Sequence, residues 1–387
     1  MVANLSKAGM MTRDTNCRQS TKQCGPEFRT HLENPYISQP LDYCLETQPA
    51  VNQRDKMIRN LFFGVLLACL FWGQALGQQD PQLTQWYNDH AAYNIGASGF
   101  GNLTTATAYK RSQWTGLNKS VETTLINVNG QLGFIPGALG VQFYDDQIGN
   151  EKNTMIKLGY AYQLPVLSNG VQVGIGLSAS IFSKSFETDW FAVDGLESPW
   201  TVDPVIPGPN NSAGNSIDAD LGVFMRKGNE YYAGLSMTHL AEQELSSLGI
   251  VSTRHFYFTG GYNYPLSGND LILRSNLMAK SDLNATALDL NVNVLANGVG
   301  MDNLGCWGGV TFRAGDAIAP SAGMAYSLAS KGAYQSSEQL FKLGYSYDMT
   351  TSALNTFVAG THEIFISYAF KFTSTPPETK YANPRFL

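Results

Sequence analysis

The chain has 387 residues, 43% hydrophobic and 12% aromatic but only 14% charged, with 38 glycines and a formal net charge of −6. Soluble domains carry about 25% charged residues, so this depletion argues against an ordinary cytosolic domain, and the aromatic content argues against a disordered tail. The acidic balance leaves no basic surface for nucleic acid, and what remains is a β-rich protein with uncharged polar groups on one face and apolar groups on the other.

Near the N-terminus, Met57-Ile58-Arg59-Asn60 precedes an apolar run over 61–77 that ends in Ala75-Leu76-Gly77. A basic start, a short apolar stretch and small residues at its end predict a signal peptide over 57–77, cleaved between Gly77 and Gln78. The run is short for a membrane helix, which needs about 20 residues. Leu66-Leu67-Ala68-Cys69 has the look of a lipidation site, but the apolar run continues through Leu70, Phe71 and Trp72, so cleavage at Gly77 is favoured. Residues 1–56 are polar, hold Cys17, Cys24 and Cys44, and show no sustained period, so they are expected to be a spurious or disordered extension, with translation starting at Met57. Residues 78–387 then carry 17 Lys+Arg against 25 Asp+Glu, a formal net charge of −8, and Cys306 as their one cysteine. Neither a disulfide framework nor a thiolate metal site is expected.

From Leu103 onward the period is two. Ile156, Leu158, Tyr160 and Tyr162 alternate with Lys157, Gly159 and Ala161; Val173, Ile175, Leu177, Ala179 and Ile181 alternate with Gly174, Gly176, Ser178 and Ser180. Ile364, Ile366, Tyr368 and Phe370 likewise share one face near the C-terminus. A 180° period predicts strands. Fourteen are expected, over 102–114, 120–132, 137–147, 152–165, 170–185, 215–227, 229–240, 254–266, 269–281, 285–296, 303–314, 317–330, 338–349 and 361–372. Turn clusters such as Leu167-Ser168-Asn169-Gly170 and Lys227-Gly228-Asn229 separate them, as in hairpins.

The polar face is mostly Gly, Ser, Asn, Gln and Ala, too poor in charge for a sheet facing bulk water. An even number of strands of about 9–11 residues, apolar on one side and polar on the other, predicts a closed antiparallel transmembrane β-barrel over 99–372. Closure is required because hydrocarbon cannot satisfy a backbone edge. A secreted sandwich or propeller is the competing fold. Residues 373–387 form a tail, and 78–98 precede the barrel. Two longer loops are expected, 189–215 and 241–253; Trp190, Phe191 and Trp200 in the first are candidates for contact with a partner.

No HExxH, GxSxG, P-loop or CxxC occurs, and His90, His239, His255 and His362 show no i, i+4 pair. Asp218 and Asp220 share a face, as lumen polarity would place them, without a calcium-loop pattern. No catalytic residue, cofactor site or metal site is expected.

Several segments, in order, resemble the PorP/SprF family, outer-membrane components of the type IX secretion and gliding machinery of Bacteroidetes. They are Gln79-Asp80-Pro81-Gln82-Leu83-Thr84-Gln85-Trp86; Arg111-Ser112-Gln113-Trp114; Phe143-Tyr144-Asp145-Asp146-Gln147-Ile148-Gly149; Tyr231-Tyr232-Ala233-Gly234-Leu235-Ser236; Arg254-His255-Phe256-Tyr257; Tyr345-Ser346-Tyr347-Asp348; and Thr361-His362-Glu363-Ile364. Asn88-Asp89 and Asn94-Ile95 stand where the family usually has Asn-Pro pairs. The resemblance implies a non-enzymatic barrel that works with membrane lipid and type IX components and supports secretion or surface retention of a partner adhesin. No small-molecule substrate is expected on that reading; an outer-membrane channel for small or hydrophobic solutes is the alternative. Residues 78–98 are expected to plug the lumen, with Asp80, Gln82 and Trp86 meeting wall groups such as Gln172, Asn291 and Arg274.

Overall fold

A computed structural model describes residues 82–101, 103–131, 136–187, 213–241, 244–245, 250–267, 270–328 and 339–371. Fourteen antiparallel strands close into one barrel. In chain order they are β1 (Thr104–Gln113), β2 (Val121–Gln131), β3 (Ala138–Ile148), β4 (Glu151–Gln163), β5 (Val171–Phe186), β6 (Ala213–Lys227), β7 (Tyr231–Thr238), β10 (His255–Ser267), β11 (Leu271–Ser281), β12 (Thr286–Asn297), β13 (Leu304–Arg313), β14 (Ala317–Ser327), β15 (Gln339–Thr350) and β16 (Thr361–Phe370). The short β8 (Glu244–Leu245) and β9 (Ile250–Val251) pair with each other in the connection between β7 and β10. Each barrel strand pairs with the next barrel strand in sequence, and β1 closes the ring against β16 from Thr104↔Phe370 to Ser112↔His362.

The wall is the inverse of a soluble core. Ile126 and Val128 on β2, Val141 and Phe143 on β3, Ile156 and Leu158 on β4, and Leu177 and Ile181 on β5 point outward and are exposed. Their alternating neighbours Asn127, Asn129, Gln142, Ser178 and Ser180 are buried in the lumen. Apolar groups outside and uncharged polar groups inside are stable only where the outer solvent is hydrocarbon. Among the described residues no helix is long and apolar enough to cross a membrane; the strands do the crossing.

The fourteen expected runs coincide with the fourteen strands to within three residues at each end. The sixth begins at Ala213, inside the stretch expected to be loop, because Ala213 and Asn215 pair with Ser185 and Ser183 of β5. Those small polar residues carry no apolar period, so the extension was invisible to patterning. The expected loop over 241–253 likewise contains the β8–β9 pair.

The two ends of the barrel differ. At one, connections span 187–212 and 239–254; at the other, none exceeds the eleven residues of 328–338. Outer-membrane barrels keep short turns on the periplasmic side and long loops outside, which makes the first end the outer one and the end where β1 begins the inner one.

Candidate functional site

Residues 82–98 lie within the lumen and hold three short 3-10 turns, Trp86–Asn88, His90–Ala92 and Ile95–Ala97. Isolated turns of this kind are too short to be stable alone, so the wall must hold them. It does so residue by residue.

At the inner end, the Gln163 and Gln131 side-chain amides donate to the carbonyls of Ser98 and Gly99. Asn94 accepts from the Gly96 N–H at 3.0 Å, capping the last turn, and its amide donates to the carbonyls of Val223 (2.9 Å) and Leu235 (3.1 Å). Ser236 donates to Tyr93 O at 2.7 Å, and Gln142 to Ala92 O at 3.0 Å. Here the segment lies almost on the backbone of the wall. A methyl group on Gly176 would come 2.8 Å from the Ile95 carbonyl carbon, and one on Gly96 would meet the Gly222 oxygen at 2.7 Å. Gly140, Gly159, Gly174, Gly222 and Gly234 meet residues 94–96 or their neighbours in the same way, so lumen-facing glycines of five strands, β3 to β7, form a cradle for Asn94–Gly96.

Toward the outer end the grip is ionic. Glu363 of β16, fully buried, accepts from the backbone N–H of Thr84 (2.7 Å) and of Gln85 (2.8 Å). Arg111 of β1 reaches Asp348 of β15 at 2.7 Å, Glu363 at 3.1 Å and the Thr84 hydroxyl at 2.8 Å. Thr84 in turn donates to Asp348 at 2.8 Å. Arg313, the last residue of β13, lies 2.9 Å from Asp348, 3.3 Å from Asp289 and 3.2 Å from Asp316 in the next turn. Two guanidinium groups thus face three fully buried carboxylates, Asp289, Asp348 and Glu363. Buried charge is tolerated only when paired and hydrogen-bonded, and the Thr84 and Gln85 N–H groups supply Glu363 with donors that one arginine alone does not.

Of the residues singled out from sequence, Gln82 donates to both carboxylate oxygens of Asp289, at 3.1 and 3.2 Å, and Trp86 is 1% exposed, packed edge-on to Tyr87 and near His90. Arg274 stacks over Trp307 and donates to Asn293, while Asn291 bonds Asn276 and Thr311. Gly77, Gln78, Asp80, Trp190, Phe191 and Trp200 lie outside the described residues. Sequence reasoning did not single out Arg111, Asp289, Arg313, Asp348 or Glu363, although three of them stand inside the motifs quoted above. The signal available was parity: each falls on the polar face of its strand.

A second polar group lines the opposite wall. His239 Nδ1 is 2.5 Å from Asp218, and Lys157 Nζ is 2.5 Å from Asp220, which also accepts from Ser178. Asp218 and Asp220 are therefore lumen groups engaged by the His239 ring, the Lys157 ammonium and hydrogen bonds. Between this wall and Ala92–Tyr93 lies a cavity of about 60 Å³, lined by Leu125, Tyr144, Met155, Phe182 and Tyr257 among others.

Among solved structures, the chain is similar to the CymD monoaromatic hydrocarbon channel (12% identity, 77% of this chain and 94% of that one, TM-score 0.44). It is similar as well to the Ralstonia pickettii toluene transporter TbuX (9%, 75% and 94%, TM-score 0.41) and to the Acinetobacter baumannii outer membrane protein Omp33 (10%, 70% and 100%, TM-score 0.35). No curated protein matches the sequence. The family model of the type IX secretion system membrane protein PorP/SprF matches residues 75–368, taking in the lumen segment and all but the end of the last strand. This chain belongs to the PorP/SprF family and is an outer-membrane β-barrel of type IX secretion.

Proposed function

We propose that this barrel is a non-enzymatic accessory component of the type IX machinery, supporting secretion or surface retention of a partner adhesin, with its lumen plugged by residues 78–98. The family match carries the reading. The lumen contacts support the plug: the described part of that segment, from Gln82 to Ser98, is bonded to strands on both sides of the barrel and seated on its glycines. A fourteen-strand barrel is wide enough to pass small solutes when empty, so a filled lumen directs the work to the surfaces of the barrel. Outer loops, including the stretch with Trp190, Phe191 and Trp200, are then where the partner and other type IX components are engaged.

The test compares cell-surface and secreted proteomes with and without the gene. Loss or release of one exported adhesin on deletion is the expected result; unchanged proteomes would reject the role. The plug is tested separately by single-channel recording of the purified protein lacking residues 79–98. Conductance should rise from near zero to that of an open pore, and solute flux through the intact protein would favour a channel instead.

A further inference from the structure

We infer that residues 82–98 pass through the lumen from the outer side inward, so that Gln82 sits at the extracellular mouth, opposite the rim where β1 begins.

The contacts order themselves along the barrel. Ser98 and Gly99 are held by Gln163 and Gln131, the last residues of β4 and β2, both at the inner end. Asn94 meets Val223 and Leu235, four residues from the inner ends of β6 and β7. Tyr87 shares a hydrogen bond of 3.1 Å with Ser321, in the outer half of β14. Thr84 bonds Asp348, two residues from the outer end of β15, and the Glu363 side chain, two from the outer end of β16. Arg313 ties this same cluster to Asp316 in an outer turn, and Gln82 bonds Asp289 near the outer start of β12. The segment therefore climbs from inner rim to outer mouth as residue number falls.

Reach agrees with this path. Sixteen steps separate Gln82 from Ser98, which at about 2.0 Å per residue for 3-10 turns and about 3.3 Å for extended chain span roughly 32–53 Å. The apolar band of such a barrel is about 25 Å tall. Direction follows from the ionic cluster, since the N–H groups of Thr84 and Gln85 have their acceptor, Glu363, at the outer end only. The consequence is that Gln82 lies on the outer side of the barrel, although Ser98 and the start of β1 lie at the periplasmic rim.

Single cysteines in a Cys306→Ala background test this on intact cells with a membrane-impermeant maleimide. The test position is Gln82→Cys, with Asn284→Cys in an outer turn and Asn229→Cys in an inner turn as references, and folding checked by heat-modifiable mobility. We expect Gln82→Cys to label as Asn284→Cys does, while Asn229→Cys labels only after the outer membrane is permeabilised. Failure of Gln82→Cys to label on intact cells overturns the inference, as does labelling of Asn229→Cys in place of Asn284→Cys. The result does not depend on the adhesin role, because labelling is read without any partner.

Discussion

Residues 82–89 and residues 92–99 belong to one continuous segment, yet the wall grips them by different physics. The outer stretch is held by Arg111, Arg313, Asp348 and Glu363, a buried charge cluster to which Thr84 and Gln85 add backbone and hydroxyl hydrogen bonds. The inner stretch is held by shape, with Asn94–Gly96 seated against glycines of five strands and its carbonyls taken up by Gln142, Gln163 and Ser236. An ionic grip is costly to leave half made, because an unpaired buried charge is severely penalised. A close-packed grip fails by obstruction when a side chain is added. One segment thus has two anchorages with opposite sensitivities, to the removal of a group at one end and to its addition at the other.

The largest effect is expected from Arg111→Met, which strips Asp348 and Glu363 of a shared partner and should lower stability by about 3–5 kcal/mol, read as urea unfolding in micelles. Gly176→Val should cost about 1–3 kcal/mol by forcing Ile95 and Gly96 off the wall, read by the same unfolding measurement. Combining the two sharpens the comparison. Independent anchorages add to within about 0.5 kcal/mol, whereas a strong coupling would mean that the segment binds and leaves as one unit. Thr84→Val keeps the shape but removes the hydroxyl between Arg111 and Asp348, with an expected loss of about 1–2 kcal/mol and no change at the glycine cradle. The smallest change is Lys110→Ala. Lys110 pairs with Glu122 at 2.7 Å close to the outer ends of β1 and β2, at the rim, where an ion pair reaching water contributes about 0.2–1 kcal/mol. A Lys110→Ala effect as large as that of Arg111→Met would break the distinction between buried and exposed charge on which the comparison stands.

Lys110 and Arg111 also show how much was legible beforehand. They are adjacent, and the period of two sends one outward and the other into the lumen. Parity alone marks Arg111, Asp289, Asp348 and Glu363 as lumen charges. It does not say that they meet, because Arg111 and Glu363 are separated by 252 residues and become neighbours only when β1 closes against β16. The glycines were legible as members of the polar face but not as a cradle. Their role depends on five strands being brought beside one another and on Ile95 and Gly96 being placed against them. The 3-10 turns of 82–98 carried no periodic signal at all, since a three-residue turn is shorter than any period that reveals it.

The amino-acid sequence by itself determined the number of barrel strands, their limits to within three residues, and which side of each meets lipid. Those properties follow from a local alternation that hydrocarbon outside and a polar lumen inside both enforce. Only the tertiary structure decided which charges pair, which strand edges close the ring, and in which direction the N-terminal segment runs through it. Those depend on register and closure, which join residues hundreds of positions apart and leave no trace in a period of two.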